Sequence, residues 1–192
     1  MIQDIGRLLK EWDRTIFLWL NGLHHSWLDT VMILLSEIKI WIPLYVVLAV
    51  LVVRKFRGEA WRYFVLVALI ITVSDYVSAS VLKPFFGRLR PCHEASLQNV
   101  IHLPSGCGGL YGFVSSHAAN SFALASFLWL LFTSKPLRYG IVIWAIVVSY
   151  SRIYLGVHYP ADVVFGALFG FLVTQLIWLL AKATGLARAA IS

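Results

Sequence analysis

The stretch ADVVFGALFGFLVTQLIWLLA, Ala161 to Ala181, decides the fold. Its one charged residue, Asp162, sits at the very start, and everything after Gln175 is apolar up to Lys182. A helix needs about 20 such residues to cross the hydrocarbon core of a bilayer. Only a helix or a closed barrel can satisfy its own backbone there. Working outward, the same signature recurs over residues 61–82, 116–133 and 138–154. A fifth segment runs from Ile40 to Phe56, opening beside Pro43 and closing on Arg54 and Lys55, whose chains can snorkel. Sixty per cent of the 192 residues are hydrophobic and 13% are charged, against about 25% charged in a soluble domain. The composition implies one integral membrane domain, residues 1–192, and excludes a soluble enzyme.

The first 36 residues read differently. Ile5, Leu8, Leu9, Trp12, Ile16 and Trp19 recur at helical spacing among charged residues, which is the pattern of an amphipathic helix lying in the interface. Asn21-Gly22 reads as a break, and Trp27 to Leu35 as a second short interfacial piece. The alternative is a sixth span over 15–36, which would carry Asn21, His24, His25 and Asp29 into the bilayer. The charged first fourteen residues do not form a signal peptide. The expected fold is therefore all-α: a polytopic membrane bundle of five to six transmembrane helices with an N-terminal interfacial amphipathic helix.

The connections orient the bundle. One side carries Arg54, Lys55, Arg57, Arg62, Lys135, Arg138, Lys182 and Arg188 against the single acid Glu59. Positive charge marks the cytoplasmic side. The net charge of +7 is thereby explained largely without nucleic acid. The opposite side, periplasmic or external in a bacterial inner membrane, holds the segment 83–115 and the stretch 152–162.

Three polar clusters open on that outer face. The first, Lys83 to Pro91, places Lys83, Arg88 and Arg90 where basic residues are otherwise scarce. The second, Tyr111 to Asn120, puts Ser115, Ser116 and His117 at a helix start, where free N–H groups and the dipole favour an anion; capping alone would also account for Ser115. The third is Ser151 to Asp162. Arg152 can grip phosphate through its fork of donors. His158 and Asp162 are four apart, so they make either an oriented nucleophile or a hydrogen-bonded staple at a helix end. Asp75, inside a span near Ser74 and Ser78, reads as a buried, hydrogen-bonded packing residue in preference to one that supports the site from below. Gly166 and Gly170 form a small-xxx-small pair suited to close helix packing.

Together the clusters resemble the type-2 phosphatidic acid phosphatase family. Its pattern has three parts: Lys, six residues, Arg-Pro; then Pro-Ser-Gly-His; then Ser-Arg, five residues, His, three residues, Asp. Lys83, Arg90 and Pro91 meet the first, and Ser151, Arg152, His158 and Asp162 the third. The second appears as Val114-Ser115-Ser116-His117, with Val for Pro and Ser for Gly. The resemblance covers residues 60–182. It implies a membrane phosphatase in which Lys83, Arg90, Arg152, Ser115 and Ser116 hold phosphate. His158 attacks phosphorus, Asp162 fixes its tautomer, and His117 protonates the leaving oxygen and later activates water. No cofactor or metal is expected, because the cations neutralise charge as Mg²⁺ does elsewhere. A positive φ at the family glycine would strain Ser116.

Cys92 and Cys107 lie in the outer loop. They either pair in an oxidising compartment or join His93 and His102 around zinc. The expected substrate is a lipid phosphate or diphosphate at the outer leaflet, and the short chain resembles undecaprenyl diphosphate phosphatases most. Phosphatidylglycerophosphate, phosphatidic acid and lipid A phosphates are the alternatives. A lipid phosphate transporter or flippase is the alternative class, and no obligatory protein partner is evident.

Overall fold

The computed structural model describes residues 2–187; Arg188, counted above in the basic flank, and the end of the 1–192 domain lie outside them. The chain begins with α1 (Ile2–Gly22) and α2 (Ser26–Ser36). A short turn, Ile38–Trp41, leads into α3 (Ile42–Phe56), with Pro43 in its first turn. The chain reverses at Arg57, the only non-glycine with a positive φ among the described residues, at 48°. It returns as α4 (Ala60–Tyr76). A wider π turn, Val77–Leu82, carries α4 into the short α5 (Lys83–Phe86). Gly87, at φ 56°, stops it, donating its N–H to the Lys83 carbonyl at 3.0 Å. A long outer connection follows, then α6 (Ser116–Leu131), α7 (Lys135–Tyr154) and α8 (Pro160–Ala183).

The helix α6 is the hub, packed against α4, α7 and α8. Its inner face is built of small residues, with Ala118, Ala119, Ala123 and Ala125 all buried. On α8 the expected glycine pair meets them. A Cβ on Gly170 would lie 1.9 Å from the Ala119 carbonyl oxygen, and one on Gly166 would lie 2.6 Å from that of Ser115. Only the missing side chains allow this approach. Thr174 Oγ1 adds a bond to the Ala123 carbonyl at 3.0 Å, and Gln175 Nε2 one to Ser126 Oγ at 3.0 Å. Such contacts matter where no water competes.

Among the described residues two continuous helical runs are long and apolar enough to cross a membrane: Ile38–Phe86, which folds back at Arg57, and Pro160–Ala183. The apolar stripe of α1 points away from the protein: Leu8, Leu9, Trp12 and Trp19 are exposed, while Asp13, Phe17 and Asn21 face inward. Asn21 is thus more than a break signal. Its amide nitrogen donates to the carbonyls of His102 at 2.9 Å and Tyr154 at 2.8 Å, and its oxygen accepts from the His102 N–H at 2.8 Å.

Candidate active site

The three clusters converge. Lys83, Arg90, Ser116, His117, Arg152 and His158 line one cavity of about 560 Å³. Four arrive from helix ends: Lys83 from the start of α5, Ser116 and His117 from the start of α6, and Arg152 from the end of α7, while Arg90 comes from the outer connection after α5. His158 comes from the turn just before α8.

Two partners fix the state of His158. Its Nδ1 lies 3.3 Å from Asp162 Oδ2, and its Nε2 lies 3.3 Å from Arg90 Nη1. A carboxylate only accepts and a guanidinium only donates. The hydrogen therefore sits on Nδ1, and Nε2 presents its lone pair to the cavity. Burial, then the nearby Arg90, Arg152 and Lys83, hold the His158 pKa well below the usual imidazole value. The ring is 1% exposed, so both desolvation and cations favour the neutral, nucleophilic form.

Asp162 is completely buried and held at both oxygens. Oδ2 also accepts the Tyr159 N–H at 3.0 Å, and Oδ1 accepts Arg88 Nη1 at 2.9 Å. Gly112 covers this pair closely. A Cβ there would stand 2.9 Å from Asp162 Oδ2 and 3.5 Å from His158 Nδ1. Neither Gly112 nor Arg88 stood out in the sequence as orienting the pair; for Gly112 the only signal was its place beside the Ser-Ser-His cluster.

The cations are placed in different ways. Arg90 is braced by two carbonyls, Tyr111 at 3.2 Å and Val157 at 3.4 Å. Lys83 Nζ donates to Ser116 Oγ at 2.9 Å, and that hydroxyl is hydrogen-bonded to Ser78 Oγ at 2.9 Å. Arg152 donates through Nη1 to the Ser36 hydroxyl, while its Nε is buried without a partner among the described residues.

Several expectations change. Ser116 takes no positive φ, so the anticipated strain does not arise. Its hydroxyl instead anchors Lys83. Ser115 is fully buried, with its side chain accepting the Ala118 N–H at 3.5 Å as the α6 cap, and it does not line the cavity. Asp75 lines the cavity and accepts Asn120 Nδ2 at 2.8 Å, rather than packing. Cys92 and Cys107 are joined in a disulfide. That removes the zinc alternative, since both sulfurs are committed and His102 is held by Asp29 Oδ1 at 2.7 Å.

An imidazole whose lone pair faces three cations in one cavity suits phosphoryl transfer, and the protein is a membrane lipid phosphatase. Residues 60–185 match the family model described as PAP2 superfamily, and the chain belongs to that family. It is similar to the lipid A 4'-phosphatase of Bacteroides thetaiotaomicron, at 41% identity over 84% of this chain and 73% of that protein. It is also similar to the Porphyromonas gingivalis lipid A 4'-phosphatase, at 36% over 88% of this chain and 73% of that protein. Similarity to the undecaprenyl-diphosphatase BcrC of Bacillus subtilis is 27% over 77% of this chain and 73% of that protein. Among solved structures, Aquifex aeolicus LpxE superposes with a TM-score of 0.65 at 26% identity, covering 85% of this chain and 92% of its own. A PAP2-type phosphatidylglycerolphosphate phosphatase from Bacillus subtilis shares the fold, with a TM-score of 0.70 at 21% identity over 92% of this chain and 87% of its own.

Proposed function

We propose that the chain removes a phosphate monoester from a lipid A-type glycolipid at the outer face of the bacterial inner membrane, through a phosphohistidine. The observation that carries this reading is the shape of the cavity. Its polar end holds the cations and His158; its other walls are Trp41, Leu48, Val52, Val67, Phe127 and Leu128. From His117 to Leu128 along α6 is roughly 16 Å at 1.5 Å per residue. That is about one leaflet of the ~30 Å hydrocarbon core. The cavity therefore suits an acyl or prenyl tail whose phosphate meets the cationic end.

The chemistry follows from the geometry. Lys83, Arg90 and Arg152 take the phosphate oxygens, and Arg90 leaves the His158 lone pair as it does so. His158 Nε2 forms a bond to phosphorus while the ester P–O bond breaks. His117 gives its proton to the departing oxygen. It then takes a proton from water, which attacks the phosphohistidine and releases inorganic phosphate and free His158. Asp162 keeps the Nδ1–H oriented throughout. We read α3, α4, α6, α7 and α8 as spans, with α1 and α2 at the interface.

Lipid A replaces undecaprenyl diphosphate as the preferred substrate because the lipid A 4'-phosphatases are the more similar relatives, 41% and 36% against 27%. The test is phosphate release by purified protein in EDTA from bisphosphorylated lipid A, undecaprenyl diphosphate, phosphatidylglycerophosphate and phosphatidic acid. Mass spectrometry of the lipid A product locates the lost phosphate. Fastest turnover of lipid A, abolished by His158→Ala, is expected. Faster turnover of undecaprenyl diphosphate overturns the substrate, and an active His158→Ala protein overturns the mechanism.

A further inference from the structure

We propose that Asp13 and Arg88 are positioning residues of this active site, which fix the Asp162 carboxylate and through it the His158 ring. Arg88 joins two carboxylates from different helices: Nη1 reaches Asp162 Oδ1 at 2.9 Å, and Nη2 reaches Asp13 Oδ2 at 2.5 Å. Its guanidinium also lies 4.2 Å from the centre of the Tyr159 ring. The second Asp13 oxygen accepts the Ala161 N–H at 2.8 Å. One oxygen of Asp13 is thus held by Arg88 and the other by the first turn of α8, the turn that carries Asp162.

A surface ion pair of this kind would add little. Here one end is the fully buried Asp162. Without Arg88, Oδ1 would lose its one hydrogen-bond donor among the described residues, and the carboxylate could rotate away from His158. Removing one partner of a buried pair leaves an uncompensated charge. The charges also balance usefully: Arg88 offsets one of the two carboxylates, so a single negative charge remains to hold the Nδ1–H. Asp13 lies on α1, outside the residues 60–185 that match the family model. The N-terminal helix is thereby a working part of the site.

This inference rests on the reading of His158 and Asp162 as nucleophile and orienter. The experiment uses the purified full chain and the lipid of the panel above that wild type turns over fastest. Outer partners that orient a metal's ligands cost about 10- to 100-fold when removed; by analogy for an oriented histidine, Arg88→Gln is expected to lower kcat by about that factor with KM within about twofold. Arg88→Lys should recover part of the loss, and Asp13→Asn should lower kcat several-fold. In an Asp162→Ala background, Arg88→Gln should cost nothing further, because coupled residues are non-additive. Should Arg88→Gln fail to fold, Asp13→Asn and Arg88→Lys carry the same comparison. Unchanged kcat in these variants, a loss confined to KM, or full additivity with Asp162→Ala overturns the proposal. If His158→Ala is inactive while Arg88→Gln is fully active, only this inference fails; if His158→Ala is active, the reading beneath it fails.

Discussion

Arg90 and Arg152 carry the same charge into one cavity, but their surroundings give them different tasks. Arg90 is pinned by the Tyr111 and Val157 carbonyls and lies 3.3 Å from His158 Nε2, which suits it both to dock phosphate and to hold the imidazole in place. Arg152 has an unpartnered, buried Nε and, among the described residues, donates through Nη1 to the Ser36 hydroxyl. Its fork is the least committed donor set in the site. Lysine keeps the charge but not the planar fork. Arg152→Lys should therefore lower kcat/KM by about 10- to 100-fold, since charge-assisted bonds of this type contribute roughly 1.5–3 kcal/mol each. Initial rates on lipid phosphate micelles measure it, and a variant equal to wild type would remove Arg152 from phosphate binding. Lys83 depends on a neighbour in another way. The Ser116 hydroxyl that stands where the family has glycine holds its ammonium at 2.9 Å. Ser116→Ala should raise KM several-fold and leave the protein folded, because the hydroxyl orients a cation and fills no core volume.

At the level of elements, the contact between α6 and α8 sets the spacing of the site, because His117 stands on one and Asp162 on the other. A methyl on Gly170 would overlap the Ala119 carbonyl, and backbone cannot give way cheaply. Gly170→Ala should lose melting temperature in detergent together with activity. Gly140, in α7, has nothing within 4 Å of a built Cβ. Gly140→Ala should be neutral or stabilising by up to about 1 kcal/mol. Opposite signs at two helical glycines would not arise from helix propensity alone, and equal signs would sink this account of the packing. These helices were legible in the sequence as long apolar runs, and α8 is long and apolar enough to cross a membrane. The proposed site residues were legible because each motif is compact in sequence, which keeps its members near one another in space. Arg88, Asp13, Gly112 and Ser36 were not, because their tasks depend on contacts 74 and 75 residues away for Arg88 and 116 for Ser36. The inward face of α1 was hidden for the same reason: its partners are the Arg88 side chain and backbone groups of Ala161, His102 and Tyr154, all distant in sequence.

Across the whole molecule, charge and chemistry lie at opposite ends. Lys55 bonds the Leu131 carbonyl at 2.8 Å and Arg138 the Phe132 carbonyl at 2.6 Å, gathering basic residues where α3 and α6 end and α7 begins. The catalytic cavity and the Cys92–Cys107 disulfide lie toward the other ends of these helices. A disulfide belongs in an oxidising compartment, and positive charge belongs in the cytoplasm. Both signals favour the polarity proposed above. The bonded cysteines leave no free thiol among the described residues, which makes the polarity measurable by labelling. Gly58, at the tip between α3 and α4, has open space around it, and Asn99 is exposed in the outer loop. A membrane-impermeant maleimide added to intact spheroplasts should label Asn99→Cys and not Gly58→Cys, and inverted vesicles should give the reverse. Labelling of Gly58→Cys in spheroplasts would turn the molecule over, and would place phosphate release in the cytoplasm.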